Sequence, residues 1–85
     1  MGKPQETNKP EIKFRASAIT ATVWKNTGKT KDDKEYEFLT TQIERSYKDK
    51  DDKWQKTSSF RADDLPKVIL VAQKAYEFIA LQGNE

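Results

Sequence analysis

Only one stretch of this chain carries a helical pattern, and it comes after everything else. Asp63 or Asp64 is placed to cap a helix, and Pro66 follows in the first turn, where its missing N–H costs nothing. The pattern covers about residues 65–82, and Gly83 then ends it. A lone helix buries its apolar stripe only against another layer, so the residues before it must supply that layer.

The apolar stripe of this helix is wider than one covering sheet requires. A helix face packed on a sheet needs an apolar arc of about 100°. A chain of 85 residues without cysteine also has a small core and no disulfide to support it. A loop or the N-terminal tail would cover the excess, but the size argument favours a homodimer that shares the helices. The predicted core stripe is Leu65, Val68, Ile69, Ala72, Tyr76, Ile79 and Ala80, and the predicted dimer interface is Val71, Ala75 and Phe78.

The first β-patterned segment changes phase halfway along. Residues 12–25 (IKFRASAITATVWK) are rich in β-branched and aromatic side chains and alternate with period two. The phase switches between Ala18 and Ile19, which predicts either two strands or one bent strand. Residues 26–34 (NTGKTKDDK) form a polar loop in which Gly28 is the natural place to turn.

Two further strands are predicted before the helix. Residues 35–48 and 54–62 both alternate, and the charged stretch DKDDK between them reads as a tight turn. Short loops between consecutive strands favour antiparallel pairing. The predicted fold class is α+β, a curved antiparallel sheet of three to four strands followed by one C-terminal amphipathic helix. The predicted organisation is a disordered tail over residues 1–11, one domain over 12–82 and a short tail over 83–85.

The residues needed for most catalytic sites are missing. The chain has no histidine and no cysteine, which excludes Ser-His-Asp and Cys-His machinery and the usual zinc sites. Asp49, Asp51 and Asp52 have part of a calcium-loop spacing but lack its central glycine and terminal glutamate, so a solvated turn is the better interpretation. We therefore expect a protein that is not an enzyme and uses no cofactor, metal ion or small-molecule substrate.

Basic and aromatic residues are interleaved along the predicted strands. From Lys13 to Arg61 there are 12 basic and 8 acidic residues, so this segment is more basic than the whole chain. Unpaired bases expose π-faces on which aromatic side chains stack, and their phosphates attract Lys and Arg. Phe14, Phe38 and Phe60 are better explained as core residues. The candidate nucleic-acid-binding residues are Arg15, Trp24, Lys25, Arg45, Tyr47, Lys48, Lys53, Trp54, Lys56 and Arg61.

The C-terminal half resembles a known family. The run IERSYKDKDDKWQKTSSFRADDLPKVILVAQKAYEFI resembles the DNA-binding domain of positive-cofactor-four-type transcription coactivators, whose relatives include the Whirly proteins. The resemblance covers roughly residues 13–80 and implies four curved antiparallel strands, a dimer formed through the helices and single-stranded DNA on the sheet. Tyr47 matches the aromatic that stacks on a base in that family, and Lys53 and Lys56 match its phosphate-contacting stretch. The family's glycines and proline after the hairpin are replaced here by Trp54-Gln55-Lys56-Thr57.

A second resemblance implies the same ligand. The run FLTTQIERSYKDKDDKWQKTSSF is similar to the middle strands of bacterial single-strand-binding proteins, which have an OB-fold. That fold needs five strands, usually with more after the helix, whereas this sequence stops at the helix. Both resemblances imply binding of single-stranded DNA first, or RNA, with little sequence preference, in transcription, replication or repair.

A protein-interaction module is the alternative hypothesis. In it, the back of the helix, with Leu70, Val71, Phe78 and Leu81, docks a protein partner. No apolar run reaches membrane-spanning length, and the first ten residues lack the apolar core of a secretory signal. We expect a protein without a membrane partner that is located in the cytoplasm, and in the nucleoid if the source is prokaryotic.

Overall fold

A computed structural model describes residues 9–82 of the chain as a four-stranded antiparallel sheet followed by one helix. This arrangement confirms the predicted α+β class. Within the described residues no helix is long and apolar enough to cross a membrane. The elements are β1 (Lys9–Ala16), β2 (Ile19–Lys29), β3 (Glu35–Lys48), β4 (Trp54–Thr57), a 3-10 turn (Ala62–Asp64) and α1 (Leu65–Ala80), and the strands follow chain order across the sheet.

The phase switch in the first β-patterned segment is a hairpin turn. Ala16 of β1 stands opposite Ile19 of β2, and Ser17 between them has a left-handed φ of 60°. The segment is therefore two strands, the first of the two alternatives that the sequence left open. Residues 9–11, predicted to belong to the tail, form the start of β1. The rest of that tail and residues 83–85 lie outside the described residues.

One turn structure is used twice in this sheet, by residues 30–34 (TKDDK) and residues 49–53 (DKDDK). In both, the N–H of the first residue donates to the carbonyl of the fifth at 2.9 Å, and the N–H of the fourth donates to the carbonyl of the first at 3.0 Å. The fourth residues, Asp33 and Asp52, have left-handed φ values of 67° and 65°. Asp tolerates this conformation better than most residues. The similar sequences therefore close two successive hairpins in the same way.

Gly28 lies inside β2, not at the turn where the sequence placed it. A Cβ at this position would stand 2.6 Å from ring atoms of Tyr36, which lies directly across on β3. The glycine leaves room for that ring. The predicted loop over residues 26–34 is consequently too long, because β2 continues to Lys29 before the chain turns.

The core lies between α1 and the middle of the sheet. Ile19, Ala21 and Val23 of β2 have no exposed surface, and Val71 and Ala75 of α1 are 2% and 1% exposed. The helix packs chiefly on β1 and β2 and reaches β3 less. The partly buried side chains around this core are Ile12, Phe14, Ala16, Leu39, Ile43, Phe60, Val68, Phe78 and Ile79.

The helix positions predicted to form a dimer interface belong to this core. Val71 and Ala75 are buried against the chain's own sheet, and the Phe78 ring meets the edge of the Phe14 ring with centroids 6.5 Å apart. Val71 and Ala75 do not fit the prediction, because a side chain buried against its own sheet offers no surface to a second copy. Phe78 is only partly buried, so for this residue the interface stays a prediction.

The helix is rotated about its axis relative to the sequence prediction. Val68 and Ile79 of the predicted core stripe do pack against the core. Ile69 and Tyr76, predicted at the centre of that stripe, are 65% and 69% exposed, and Leu65 is about half exposed. An apolar flank of α1 is therefore left uncovered in the described chain.

Arg45 of β3 contacts the connector between β4 and α1, residues 58–64. Because β4 ends at Thr57, the later part of the predicted third strand is a connector. Arg45 Nε lies 3.2 Å from Asp64 Oδ2 and donates to the Ser59 carbonyl at 3.2 Å. The same Asp64 oxygen accepts the Arg61 N–H at 2.9 Å. Asp64 does stand at the N-cap of α1, but its side chain organises the connector and makes no cap hydrogen bond.

Asp64→Asn should destabilise the domain more than loss of an exposed ion pair does. Arg45 and Asp64 are only 17% and 14% exposed, so their contact is poorly screened by water. We expect a loss of about 1.5–3 kcal/mol in the free energy of unfolding, measured by urea denaturation at neutral pH. Glu77→Gln, which removes the exposed pair with Lys74 at 3.7 Å, is the control and should cost under about 1 kcal/mol. Equal, small losses for both variants would contradict this assignment.

Candidate nucleic-acid interface

One face of the sheet is covered by no other element of the described chain. Residues directly opposite each other in an antiparallel sheet share a face, and successive residues alternate. Because Ile19, Ala21 and Val23 face α1, Thr20, Thr22 and Trp24 face the other way. We call this second side the open face. Its members are Lys13 and Arg15 of β1, Thr20, Thr22, Trp24 and Asn26 of β2, Tyr36, Phe38, Thr40, Gln42, Glu44, Ser46 and Lys48 of β3, and Trp54 and Lys56 of β4.

The centre of the open face is a basic pocket. It has a volume of about 270 Å³ and is lined by side chains from all four strands. Arg15 and Thr20 are paired across β1 and β2, and Thr20 is paired in turn with Glu44 of β3. The residues that line the basic pocket are Lys13, Arg15, Thr20, Thr22, Glu44, Ser46 and Lys56. With three cationic side chains and one carboxylate, the lining of the pocket has a net positive charge.

A tryptophan stands on each side of the basic pocket. Trp54 is 67% exposed, and the Lys48 Nζ lies 5.4 Å from the centre of its ring. At the other end, Trp24 lines a shallow cavity of about 370 Å³ with Asn26, Thr40 and Gln42. Lys48 and Thr40, which pair with the two tryptophans, are separated by about 26 Å along β3. Trp24 and Trp54 therefore lie on either side of the basic pocket along the direction of β3.

Two of the polar side chains beside Trp24 are hydrogen-bonded to each other. Asn26 Nδ2 donates to Thr40 Oγ1 at 2.9 Å, which fixes the amide next to the indole. Farther along, the rings of Tyr36 and Phe38 lie 5.7 Å apart and extend the aromatic surface. Phe38 was predicted to be a core residue, but it is 42% exposed on the open face.

Half of the residues predicted to bind nucleic acid share the open face. No other element of the described chain covers them. Strand alternation explains the grouping, because side chains at every second position point the same way. The predicted residues brought together on this face are Arg15, Trp24, Lys48, Trp54 and Lys56.

The other predicted residues are placed elsewhere. Lys25 lies on the helix side of β2 and pairs with Glu37 at 3.3 Å. Arg45 and Tyr47 lie on the helix side of β3, where the Arg45 guanidinium stands 5.5 Å from the centre of the Tyr47 ring. Lys53 is the last residue of the second turn, and Arg61 lies in the connector between β4 and α1.

Sequence reasoning missed Lys13, Gln42 and Glu44 as members of this site. Lys13 stands two residues before Arg15 and therefore shares its face, a signal that strict alternation within β1 would have revealed. Gln42 and Glu44 stand in phase with Lys48 along β3 in the same way. Gln42 and Glu44 carry neither an aromatic ring nor a positive charge, so the pattern of basic and aromatic residues does not select them.

The turn between β3 and β4 is organised by one carboxylate. Asp49 Oδ1 accepts the N–H groups of Asp51 and Lys53 at 2.9 and 3.0 Å, and Asp49 Oδ2 accepts from Gln55 Nε2 at 2.9 Å. These bonds explain the role of Asp49 in closing the hairpin that presents Trp54. Among residues 9–82, no group of three or more Asp, Glu, His or Cys side chains is placed to hold a metal ion.

Comparison with known proteins gives this chain no relative. The chain matches no protein-family model, no curated protein and no solved structure. The resemblances to positive-cofactor-four-type and OB-fold domains therefore stay predictions from sequence. Functional inference depends on the geometry and chemistry of the open face.

Acid should loosen the β3–β4 turn through Asp49. Hydrogen bonds from the Lys53 N–H, and then from the Gln55 amide, hold the pKa of the Asp49 carboxyl below its ordinary value. A lowered pKa in the folded state stabilises the fold above the unfolded pKa of about 3.9, and this contribution is lost as pH falls through the folded value. An NMR pH titration of the carboxyl carbons should show Asp49 titrating below that reference.

The matched variant for this titration is Asp49→Asn. We expect its destabilisation relative to the natural chain to be largest at neutral pH and to shrink as pH falls below about 4, because protonation then weakens the same bonds in both proteins. A destabilisation that does not depend on pH would contradict a role for the charged form.

Proposed function

We propose that the open face binds single-stranded nucleic acid, with DNA as the first ligand and RNA as the alternative. The observation that supports this most is that both tryptophans of the chain lie on one uncovered sheet face, on either side of a basic pocket. Stacking surface and positive charge are what an unpaired strand requires. The domain would act by binding, without catalysis, wherever such strands occur in the cytoplasm or nucleoid.

The arrangement of charge and aromatic surface favours a single strand over a duplex. A duplex hides the faces of its bases, so the exposed Trp54 ring and the partly exposed Trp24 ring gain little from it, whereas an unpaired base stacks on them. Lys48 adds a positive charge beside the Trp54 ring, where the phosphate of a stacked nucleotide would lie, and its contact with the exposed Asp52 at 3.6 Å is open to solvent. Lys13, Arg15 and Lys56 supply the charge between the two stacking positions.

The tryptophans themselves report binding. We expect a thymine oligonucleotide of about 12 nucleotides, within the range covered by known single-strand-binding domains, to quench the intrinsic tryptophan fluorescence at low salt. Binding should weaken as salt rises, with a log–log slope of about −0.7 for each phosphate contact, or about −3 for four cations. A duplex of equal length is the control ligand. No fluorescence change and no binding at low salt would exclude the proposal.

Two aromatic substitutions distinguish the open face from the helix side. Trp54→Ala should weaken oligonucleotide binding by about 1–3 kcal/mol, the value of one stacked base. Tyr47→Ala should leave affinity unchanged, because Tyr47 lies on the helix side beneath the Arg45 guanidinium. The family resemblance instead implies that Tyr47 stacks on a base, so that Tyr47→Ala would weaken binding. Loss of binding only in Tyr47→Ala would move the site to the helix side.

We further infer that a second copy of the chain covers the exposed flank of α1. Leu65, Ile69, Ala72 and Tyr76 lie on this flank, and with Ile79 at its border with the core they recur at alternating spacings of four and three residues. This is the spacing of a seam between two packed helices. The charged residues of α1, Lys67, Lys74 and Glu77, lie on other sides of the helix and leave this seam free of charge.

The edges of the sheet support the helix flank as the contact between copies. β1 carries a register shift between Pro10 and Ile12, and β4 has only four residues. Short strands, prolines and bulges blunt an edge against pairing with another chain. The small core of the single chain, with five fully buried apolar side chains among the described residues, leaves stability to be gained by association.

Charge placed in the seam should separate the two copies. Ile69→Glu should give a monomer in analytical ultracentrifugation under conditions where the natural chain is a dimer, because a carboxylate would be buried at the seam. Leu70→Glu is the matched control, since Leu70 is also half exposed but lies outside the seam, and it should stay dimeric. A monomeric natural chain, or equal dissociation by both substitutions, would contradict the inference.

A further inference from the structure

Glu44 is the one acidic side chain in the lining of the basic pocket, and it accepts no hydrogen bond from the described chain. Its side chain is 31% exposed, and its nearest cation is the Lys56 Nζ at 3.9 Å, beyond hydrogen-bond distance. Within residues 9–82 no donor makes a hydrogen bond to this carboxylate. A carboxylate offers about four acceptor positions, and no side-chain oxygen of the described residues is both buried and without a partner, so the Glu44 oxygens are open to solvent. They can therefore accept hydrogen bonds from a donor group that enters the pocket.

A negative charge at this place does not suit a phosphate. Phosphate oxygens would be repelled by Glu44, although they would be attracted by Lys13 and Arg15 at the pocket's rim. The carboxylate instead suits a group that donates hydrogen bonds. The pocket volume of about 270 Å³ is below the usual range of about 300–1,000 Å³ for small-molecule sites, so it suits a single base better than a larger ligand.

The bases differ in what they offer to a carboxylate. The Watson–Crick edge of guanine presents two adjacent donors, N1–H and N2–H, which match the two oxygens of a carboxylate. Thymine and uracil present one N–H between two carbonyl oxygens, which a carboxylate repels. Adenine and cytosine present one amino group beside an acceptor nitrogen. An unpaired guanine therefore complements Glu44 better than any other base, and single strands expose this edge.

We infer that the basic pocket is a guanine-preferring base site in which Glu44 accepts N1–H and N2–H. The guanine O6 would face the hydroxyl groups of Ser46 and Thr20, which stand next to Glu44 on the open face. Lys13, Arg15 and Lys56 would meet the phosphates on either side of the guanine. This inference rests on the proposed function and adds a sequence preference that neither tryptophan supplies, since stacking accepts every base.

The test compares oligonucleotides that differ only at the central bases. Affinities are measured by fluorescence anisotropy for an all-thymine strand, the same strand with two central guanines, and the same strand with two central hypoxanthines, which lack the N2 amino group. We expect the guanine strand to bind the natural chain about tenfold more tightly than the thymine strand, the effect of one bidentate base contact. The hypoxanthine strand should fall between them.

The diagnostic substitution is Glu44→Gln, which keeps the shape of the side chain. It should remove the preference for guanine over thymine while the chain still binds both strands. Glu37→Gln is the matched control, because it changes the net charge equally but lies on the helix side, where it pairs with Lys25. It should leave the preference intact. Thermal unfolding of both variants confirms that they are folded.

Each outcome decides the inference. A natural chain that binds the guanine and thymine strands equally overturns it and leaves the proposed function standing. A Glu44→Gln variant that binds every strand more tightly, with the guanine preference retained, overturns it as well, because Glu44 would then only repel phosphate. Failure of the natural chain to bind any strand at low salt overturns both the inference and the proposed function.

Discussion

The burial of one face of β2 beneath α1 is the contact on which the rest of this structure depends. Ile19, Ala21 and Val23 lose all their exposed surface in this contact. Because strand side chains alternate, the same contact sends Trp24 and its in-phase neighbours to the opposite face. A one-residue slip would exchange the two sets, exposing the core and burying polar side chains. The register that builds the core therefore also builds the open face.

Because the apolar core is small, polar contacts stabilise the turns and connectors outside it. Asp49 and Asp64 each gather several donors with one carboxylate, and each stands where the chain leaves one element for the next. Hydrogen bonds to charged groups contribute more than neutral ones, which suits them to these junctions. One flank of α1, with Ile69 and Tyr76, stays uncovered among the described residues while the opposite side of the helix forms the core.

The two sheet faces differ in how their charged residues are paired. Arg45 and Lys25 resemble nucleic-acid ligands in sequence, but on the helix side they pair with Asp64 and Glu37. On the open face, Lys48 and Lys56 have carboxylates at 3.6 and 3.9 Å, whereas Lys13 and Arg15 have no carboxylate partner among the described residues and line the basic pocket. An ion pair within the fold reduces the attraction that a cation offers to phosphate, so placement matters more than residue type.

Much of the fold was predictable because its causes are local. Strand alternation, the Asp-rich turns, Pro66 at the start of α1 and the order of elements are all present in short stretches of sequence. Alternation also showed which residues share a face, as with Arg45 and Tyr47. Tertiary structure alone decided which face meets the helix and which side of the helix meets the sheet, since α1 is apolar around much of its surface. The rotation of α1 about its axis places Val71 in the core and leaves Ile69 exposed. It is set by which side of the helix packs best against β1 and β2, and a local sequence pattern does not contain that information.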